Sequence, residues 1–205
     1  FFILFFVNST HHNFHIKDEI RILGIDDSAL ISDKITIVGA FFRGGKWLDG
    51  VLRSEITRDG LDATDSIVSM VNCSKHLPQI RAIMLDGVTY GGFNPVDIVS
   101  LYERTNIPVI VLMRDLPDFE SIEKALLFLP EPETKMKIIR KAGKISSVVT
   151  KDDDNPVFFQ CCGLDYEMAA KIIKITSTRS NIPEPLRVAH LIATGIVLGE
   201  SRGKA

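Results

Sequence analysis

The chain is short of cysteine, carries no strong charge of one sign and lacks a phosphate-loop signature. Each shortage narrows the field. Its three cysteines cannot all pair, and none lies in a Cys-x-x-Cys arrangement. A disulfide scaffold and a zinc cluster therefore have no support. Cys161 and Cys162 adjoin in the apolar run PVFFQCCG and Cys73 closes an expected helix, so all three read as reduced thiols, mostly buried, in a reducing cytoplasm. The net charge of −2 and pI near 6.2 exert no global pull on nucleic acid. A polyanionic partner would have to meet a local basic patch. The pattern G-x-x-x-x-G-K-[ST] is missing, so no loop here is a P-loop.

The amino-terminal run FFILFFV holds seven apolar residues, against about 20 for a membrane helix. No positive stretch precedes it, as a secretory signal would require. The expected location is the cytoplasm, with no membrane partner, and the Asn-Ser-Thr sequon that follows is accidental. The arm's four phenylalanines are expected to pack, on an edge strand or on a partner chain. His11, His12 and His15 are too irregularly spaced to read as ligands.

What is present is ordinary in amount and informative in order. A chain of 205 residues, 45% hydrophobic and 24% charged, fits one large domain or two small ones. It is long enough to bury a core without staples. A short buried strand, Ile20 to Ile25, leads to a pair of aspartates. Ile35 to Phe42 and Trp47 to Thr57 flank the turn Arg43-Gly44-Gly45-Lys46, and their β-branched content predicts an antiparallel hairpin. The period then becomes helical. Asp62 is the expected N-cap of a helix in DATDSIVSMVNCSKHL, with Asp65 in the capping-box position. The strand Arg81 to Leu85, a glycine loop and a helix in NPVDIVSLYERTN follow, with Asn94 as its cap and Pro95 in its first turn.

IPVIVLMRDL is a continuously apolar strand, which predicts cover on both faces. Helices in DFESIEKALLFL and ETKMKIIRKAGK, a hairpin of ISSVVT and PVFFQCCG around the solvated tip Asp152 to Asp154, and two closing helices complete the chain. The order predicts an α/β fold, a mixed sheet with an antiparallel start and helices on both faces.

The aspartates that end strands carry the chemistry. Ligands gather beyond the carboxyl ends of strands in such sheets. If the first and fourth strands are neighbours, Asp26 and Asp86 lie side by side and repel unless a cation joins them, and hard oxygen donors suit Mg²⁺ or Mn²⁺. The bland readings run alongside. Asp27 before Ser28 reads as a turn or cap, Asp59 before Gly60 as a turn dipeptide, and Asp86 before Gly87 as a turn. Gly87, Gly91 and Gly92 serve tight turns or let backbone approach a phosphate.

The segments ILGIDD, FFRGGKWLDGVL, DGLDAT, MLDGVTYGGFN, STRSNIPEP, IPEPLRVAHLI and GESRGKA together resemble the archaeal endonuclease dU family, long listed as of unknown function and related to endonuclease V. The resemblance covers residues 19–205 as one domain and leaves an arm, 1–18, outside. It implies a ribonuclease H-like fold and a metal-dependent endonuclease acting on DNA with a deaminated base, uracil, in repair. Residue by residue, it puts Asp26 and Asp86 at the catalytic and metal positions, Arg114 in place of a catalytic lysine, and His190 near the metal. The relative's middle acid is a glutamate that this chain lacks, and Asp59 is the substitute, with Asp62 in reserve. Its Pro-Tyr-Ile-Pro wedge is also missing. The candidate substrate-binding residues are Gly87, Tyr90, Gly91, Gly92, Phe93, Asn94 and Arg187, with Tyr90 and Phe93 either stacking on a base or packing on a helix. On the residues alone, His190 is as well read as a satisfied residue on a half-buried helix face.

Lys135, Lys137, Arg140, Lys141, Lys144 and Lys151, with Arg179, Arg187, Arg202 and Lys204, would form a phosphate track if they converge on the aspartates; otherwise they are solvated helix faces. Two rivals remain open: a non-catalytic nucleic-acid or protein-binding module on the same fold, and a small-molecule phosphohydrolase using GGFN.

Overall fold

A computed structural model describes residues 16–201. The aromatic arm at Phe1 to Val7 lies outside the described residues, as do Arg202 and Lys204. Strands β1 (Arg21–Asp27), β2 (Lys34–Arg43) and β3 (Trp47–Thr57) form an antiparallel meander. Helix α1 (Ala63–Asn72) leads to β4 (Ala82–Asp86), which pairs parallel to β1. A two-rung hairpin, β5 (Thr89–Tyr90) and β6 (Asn94–Pro95), precedes α2 (Ile98–Thr105) and β7 (Val109–Met113), parallel to β4. Then come α3 (Phe119–Leu126), α4 (Pro132–Lys141), the hairpin β8 (Ser146–Val148) and β9 (Val157–Cys162), α5 (Tyr166–Thr176) and α6 (Glu184–Leu198). The seven-stranded sheet runs β3-β2-β1-β4-β7-β9-β8. This is the mixed sheet with an antiparallel start that the sequence predicts.

Strand periodicity explains the two cores. Successive side chains point to opposite faces. Leu23, Ile25, Ile83, Leu85, Val109 and Val111 enter one core with α1 and α2, while Ile22, Ala82, Met84, Ile110 and Leu112 enter the other with α5 and α6. β1, β4 and β7 are buried on both faces, which is why they read as unbroken apolar runs. The edge strand β3 alternates instead.

Helix α6 fixes one side of the functional edge. Its residues Leu186, Ala189 and Ala193 are fully buried, facing β1 and β2. The approach is close enough that a Cβ on Gly24 would fall on the carbonyl group of Pro185. Only glycine fits there.

Three sequence expectations about caps need correction. Asp62 stands at the N-cap of α1, but its side chain makes no cap hydrogen bond. It accepts from the backbone N–H and hydroxyl of Thr57 and from the Asn94 amide. Asn94 does not cap α2; it lies in β6, fully buried, and its Oδ1 accepts from Ala63 N, so it caps α1 from across the chain. Asp97 caps α2, accepting from Val99 N and Ser100 N. Asp65 pairs with Arg104 instead of closing a capping box. Cys73, expected buried, is exposed at the end of α1, and Cys161 and Cys162 are half-buried; all three are free.

Candidate active site at the carboxyl edge of the sheet

The pairing of β1 and β4 ends at Ile25 opposite Leu85, which brings Asp26 and Asp86 to neighbouring strand ends. Both belong to the face that carries Ile22 and Met84, and this face is covered by α6. Four groups meet there. His190 Nδ1 lies 2.9 Å from Asp26 Oδ2. Arg114, two residues beyond Leu112 on the same face, gives both oxygens of Asp86 a hydrogen bond of 3.2 Å. Asp26 is buried; Asp86 has a side chain 10% exposed, and that of Arg114 is 43% exposed. The edge is open to solvent on the arginine side.

Electrostatics mark the pair. Burial and then the charge of Asp26 push the Asp86 carboxyl above its ordinary value, against the opposing pull of Arg114 and His190. Two carboxylates on one face of a strand end resist being charged together. Asp27, read from sequence as a turn or cap, is instead the last residue of β1 on the opposite face. Burial, with the charge of Asp26, pushes it up to about 7, although its Oδ2 accepts from Gly91 N at 2.5 Å. Sequence reasoning undervalued it because the Asp-Asp-Ser string looks like a turn.

The loop after β4 is turned inward, away from any ligand role for most of its residues. Tyr90 is 1% exposed and cannot stack on a base. Its hydroxyl donates to the Ile25 carbonyl at 2.8 Å and accepts from Asp86 N at 3.0 Å. The N–H groups of Gly91 and Phe93 are spent on Asp27 and Asp59, so the glycines let backbone approach the protein's own carboxylates. Gly92 has φ +87°, and a Cβ there would overlap Asp59 Oδ1. Phe93 packs with Val88 against Leu126, Met136 and Ile139 of α3 and α4. Asn94 is inaccessible. Gly87, at φ +84° with its N–H on Leu112 O, is the least crowded of these glycines: an added Cβ would come only to ordinary contact with Thr89 O, at 3.9 Å.

Asp59 and Asp62, the two substitutes for the missing acid, are both tied into the β3–α1 loop. Asp59 has φ +51° and holds Phe93 N, with Arg58 3.6 Å away. Arg187 grips Glu184 with three hydrogen bonds at the start of α6. The expected phosphate track is broken. Lys135 is 1% exposed and donates to the carbonyls of Asp59 and Gly60; Lys141 pairs with Asp97; Arg140 reaches Glu123 and lies over Phe119. Lys137, Lys144 and Lys151 are exposed.

The sequence model of the family described as endonuclease dU matches residues 18–197. The chain belongs to the endonuclease dU family. A UPF0215 protein of Methanosarcina barkeri is 63% identical over 94% of this chain and 98% of its own length. A crystal structure of a protein of unknown function from Archaeoglobus fulgidus is 43% identical, covering 86% of this chain and 97% of that one, with a TM-score of 0.78. Endonuclease V from Ciona intestinalis, in complex with a DNA containing an inosine followed by a ribo-adenosine, is 14% identical over 87% and 86% of the two chains, with a TM-score of 0.58. That likeness shows the ribonuclease H-like fold alone. Among the described residues no helix is long and apolar enough to cross a membrane.

Proposed function

We propose that the protein is a nuclease acting on DNA, and that it hydrolyses a phosphodiester beside a deaminated base, uracil, with Mg²⁺ or Mn²⁺, in DNA repair in the cytoplasm. The observation that carries this is the juxtaposition of Asp26 and Asp86 on one face of adjacent strand ends, with His190 on one and Arg114 on the other. Family membership and the endonuclease V-like fold support the nuclease class. The lesion is suggested by the family's description and by the inosine-containing DNA bound to a neighbour of the same fold.

The donor set fits a hard divalent ion. Two carboxylates offer oxygens and repel one another, and a cation relieves that repulsion. Among the described residues no group of three or more His, Cys, Asp or Glu side chains stands ready to enclose a metal. Mg²⁺ suits such a site, because it commonly keeps several waters and takes one or two carboxylates with the substrate's phosphate oxygens. When held by Asp26 and Asp86, the ion supplies positive charge against the phosphoryl oxygens and makes water more acidic.

The chain's own residues do the rest. His190 orients the Asp26 carboxylate through Nδ1. Arg114 is the half-exposed cation of the edge: a planar fork that matches carboxylate now matches phosphate equally well. Open backbone at Gly87 leaves room for the strand beside Asp86. Asp59 is here a brace for the Phe93 loop, and Arg187 and the inward-facing loop residues hold the site's walls.

A duplex carrying one uracil tests the reading. Wild type with Mg²⁺ or Mn²⁺ should nick it, chelator should stop the nicking, and Asp86→Asn should abolish it. Equal, negligible rates on uracil and undamaged duplexes would overturn it. The missing third acid on the Asp26–Asp86 face favours a second reading, a binding module without turnover. In that case Asp86→Asn keeps or improves DNA affinity and no metal produces nicks.

A further inference from the structure

Each oxygen of the Asp26–Asp86 pair has a partner within the chain. Asp26 Oδ1 accepts from the Asp27 N–H at 2.8 Å, and its Oδ2 lies 2.9 Å from His190 Nδ1. Asp86 gives both oxygens to one group, Oδ1 accepting from Arg114 Nη1 and Oδ2 from Nη2, each at 3.2 Å. The three partners differ in what their departure would disturb. The Asp27 N–H is main chain at the end of β1, and His190 sits on α6 between the fully buried Ala189 and Ala193. Arg114 follows the end of β7, and its side chain is 43% exposed. Of the three, it can leave without moving a packed strand or helix.

Arg114 also carries the charge that matters. Two carboxylates on neighbouring strand ends repel, and a guanidinium on one of them offsets part of that repulsion. A divalent ion at the same oxygens would meet the guanidinium as a like charge. The two cations therefore compete for Asp86. We propose that Arg114 is an exchangeable counter-cation of the site: its fork guards Asp86, an ion gains Asp86 as the fork leaves, and a substrate phosphate receives the fork. The inference deepens the metal-dependent nuclease reading and rests on it. The guanidinium suits both partners, since its paired N–H groups match two oxygens of a carboxylate or of a phosphate. Exchange links the two ligands. A phosphate that draws Arg114 away opens Asp86 to the ion, and an ion on Asp86 releases Arg114 to phosphate. By reciprocity each strengthens the other's binding by the same factor. Protein without DNA then holds the metal weakly, and DNA and metal load together.

Arg114→Met removes the charge and keeps an unbranched stem. Mn²⁺ affinity without DNA, read from the paramagnetic resonance of the free ion, is compared in wild type, Arg114→Met and Arg104→Met. Arg104 is the control: it is 44% exposed, pairs with Asp65 and lies at the end of α2 that leads into β7, opposite the carboxyl edge. Arg114→Met should bind Mn²⁺ about tenfold tighter than wild type, and Arg104→Met should match wild type. Affinity in Arg114→Met no tighter than wild type overturns the exchange. An equal gain in Arg104→Met overturns it too, since net charge would then be the cause. Fluorescence anisotropy on an undamaged duplex reads the phosphate side. Adding Mn²⁺ should tighten wild type about fivefold more than Arg114→Met, and equal tightening overturns the link to phosphate. If Arg114→Met fails to fold, a wild-type crystal soaked in Mn²⁺ decides: Arg114 displaced from Asp86 upholds the proposal, and an ion on Asp86 with both Arg114 hydrogen bonds kept overturns it. No Mn²⁺ on wild type or Arg114→Met, with or without duplex, defeats the metal reading and the exchange together. Mn²⁺ bound equally by both defeats the exchange alone.

Discussion

Two regions of this molecule use the same residue for opposite ends. At the β3–α1 loop, Asp62 has its oxygens consumed by Thr57 and Asn94, and Asp59 by the Phe93 N–H. At the carboxyl edge, Asp26 and Asp86 face another carboxylate, a guanidinium and an imidazole. A carboxylate fed by backbone and amide N–H groups is held in its charged form and stiffens a loop. One facing charged side chains at a solvent-open edge can trade them for a ligand. Asp62 and Asp86 accordingly shift in opposite directions. Burial draws Asp62 up, but hydrogen bonds from Thr57 and Asn94 outweigh it and hold the group below 3.8; burial and Asp26 push Asp86 above that value. Depth and partner type together separate bracing from chemistry.

The sharpest break of this contrast is a matched pair of amides. Asp86→Asn should lower nicking by about 10³-fold or more, the scale of losing a principal electrostatic group. Its melting temperature should hold or rise, because one of two repelling carboxylates is gone. Asp62→Asn should do the reverse, with a lower melting temperature and nicking per folded molecule unchanged. Circular-dichroism melts beside the nicking assay give both numbers, and parallel losses of stability and activity in both variants would erase the distinction.

Next in size is the contact that seats α6. Gly24→Ala places a methyl group on the Pro185 carbonyl, and overpacking of this kind costs about 1–3 kcal/mol. The helix must retreat from β1, taking His190 from Asp26. Denaturant unfolding should show the loss, and nicking by the folded fraction should fall as well. A melt like wild type would mean that the helix gives way without strain.

How much of this could be read from sequence follows from the range of each interaction. The buried strands and the aspartates that end them are visible in ILGIDD and AIMLD, but the pairing of Asp26 with Asp86 hung on β1 and β4 being neighbours, which only the fold supplies. Asn94 misled because Asn-Pro before an amphipathic stretch is a sound local cap signal, yet its amide was claimed by Ala63 and Asp62, far away in the chain. Lys135 misled likewise. A run of lysines at helical spacing reads as a solvated face, and only the fold reveals that one of them reaches the Asp59 carbonyl. Tyr90 misled too, since the partners of its hydroxyl, the Asp86 N–H and the Ile25 carbonyl, meet it only in the fold.

A smaller effect, about 1–2 kcal/mol for hydrogen bonds whose buried partners are left unmade, is expected for Asp62→Ala, and pH separates it from a packing loss. The folded pKa of Asp62 is depressed, so its contribution is fully present above its unfolded value near 3.8 and is lost as pH falls through the lower folded value. Between pH 5 and 8 the stability gap between wild type and Asp62→Ala should therefore be flat, and it should narrow below pH 4. A gap that stayed constant to pH 2 would assign the loss to packing.

The smallest expected effect tests the same idea at the surface. Asp65 pairs with Arg104 between α1 and α2, but both side chains are exposed, 72% and 44%. Solvent screens such a pair and side-chain entropy opposes it, so Asp65→Ala should cost no more than about 0.5 kcal/mol, less still in high salt. The Asp86–Arg114 pair has the same chemistry and a similarly exposed arginine, yet its carboxylate is almost wholly buried beside another acid. If charge pairing by itself governed both, the two aspartates would respond alike to substitution. A null result at Asp65 beside lost activity at Asp86 locates the difference in what lies behind the carboxylate: solvent in one case, the buried edge and Asp26 in the other.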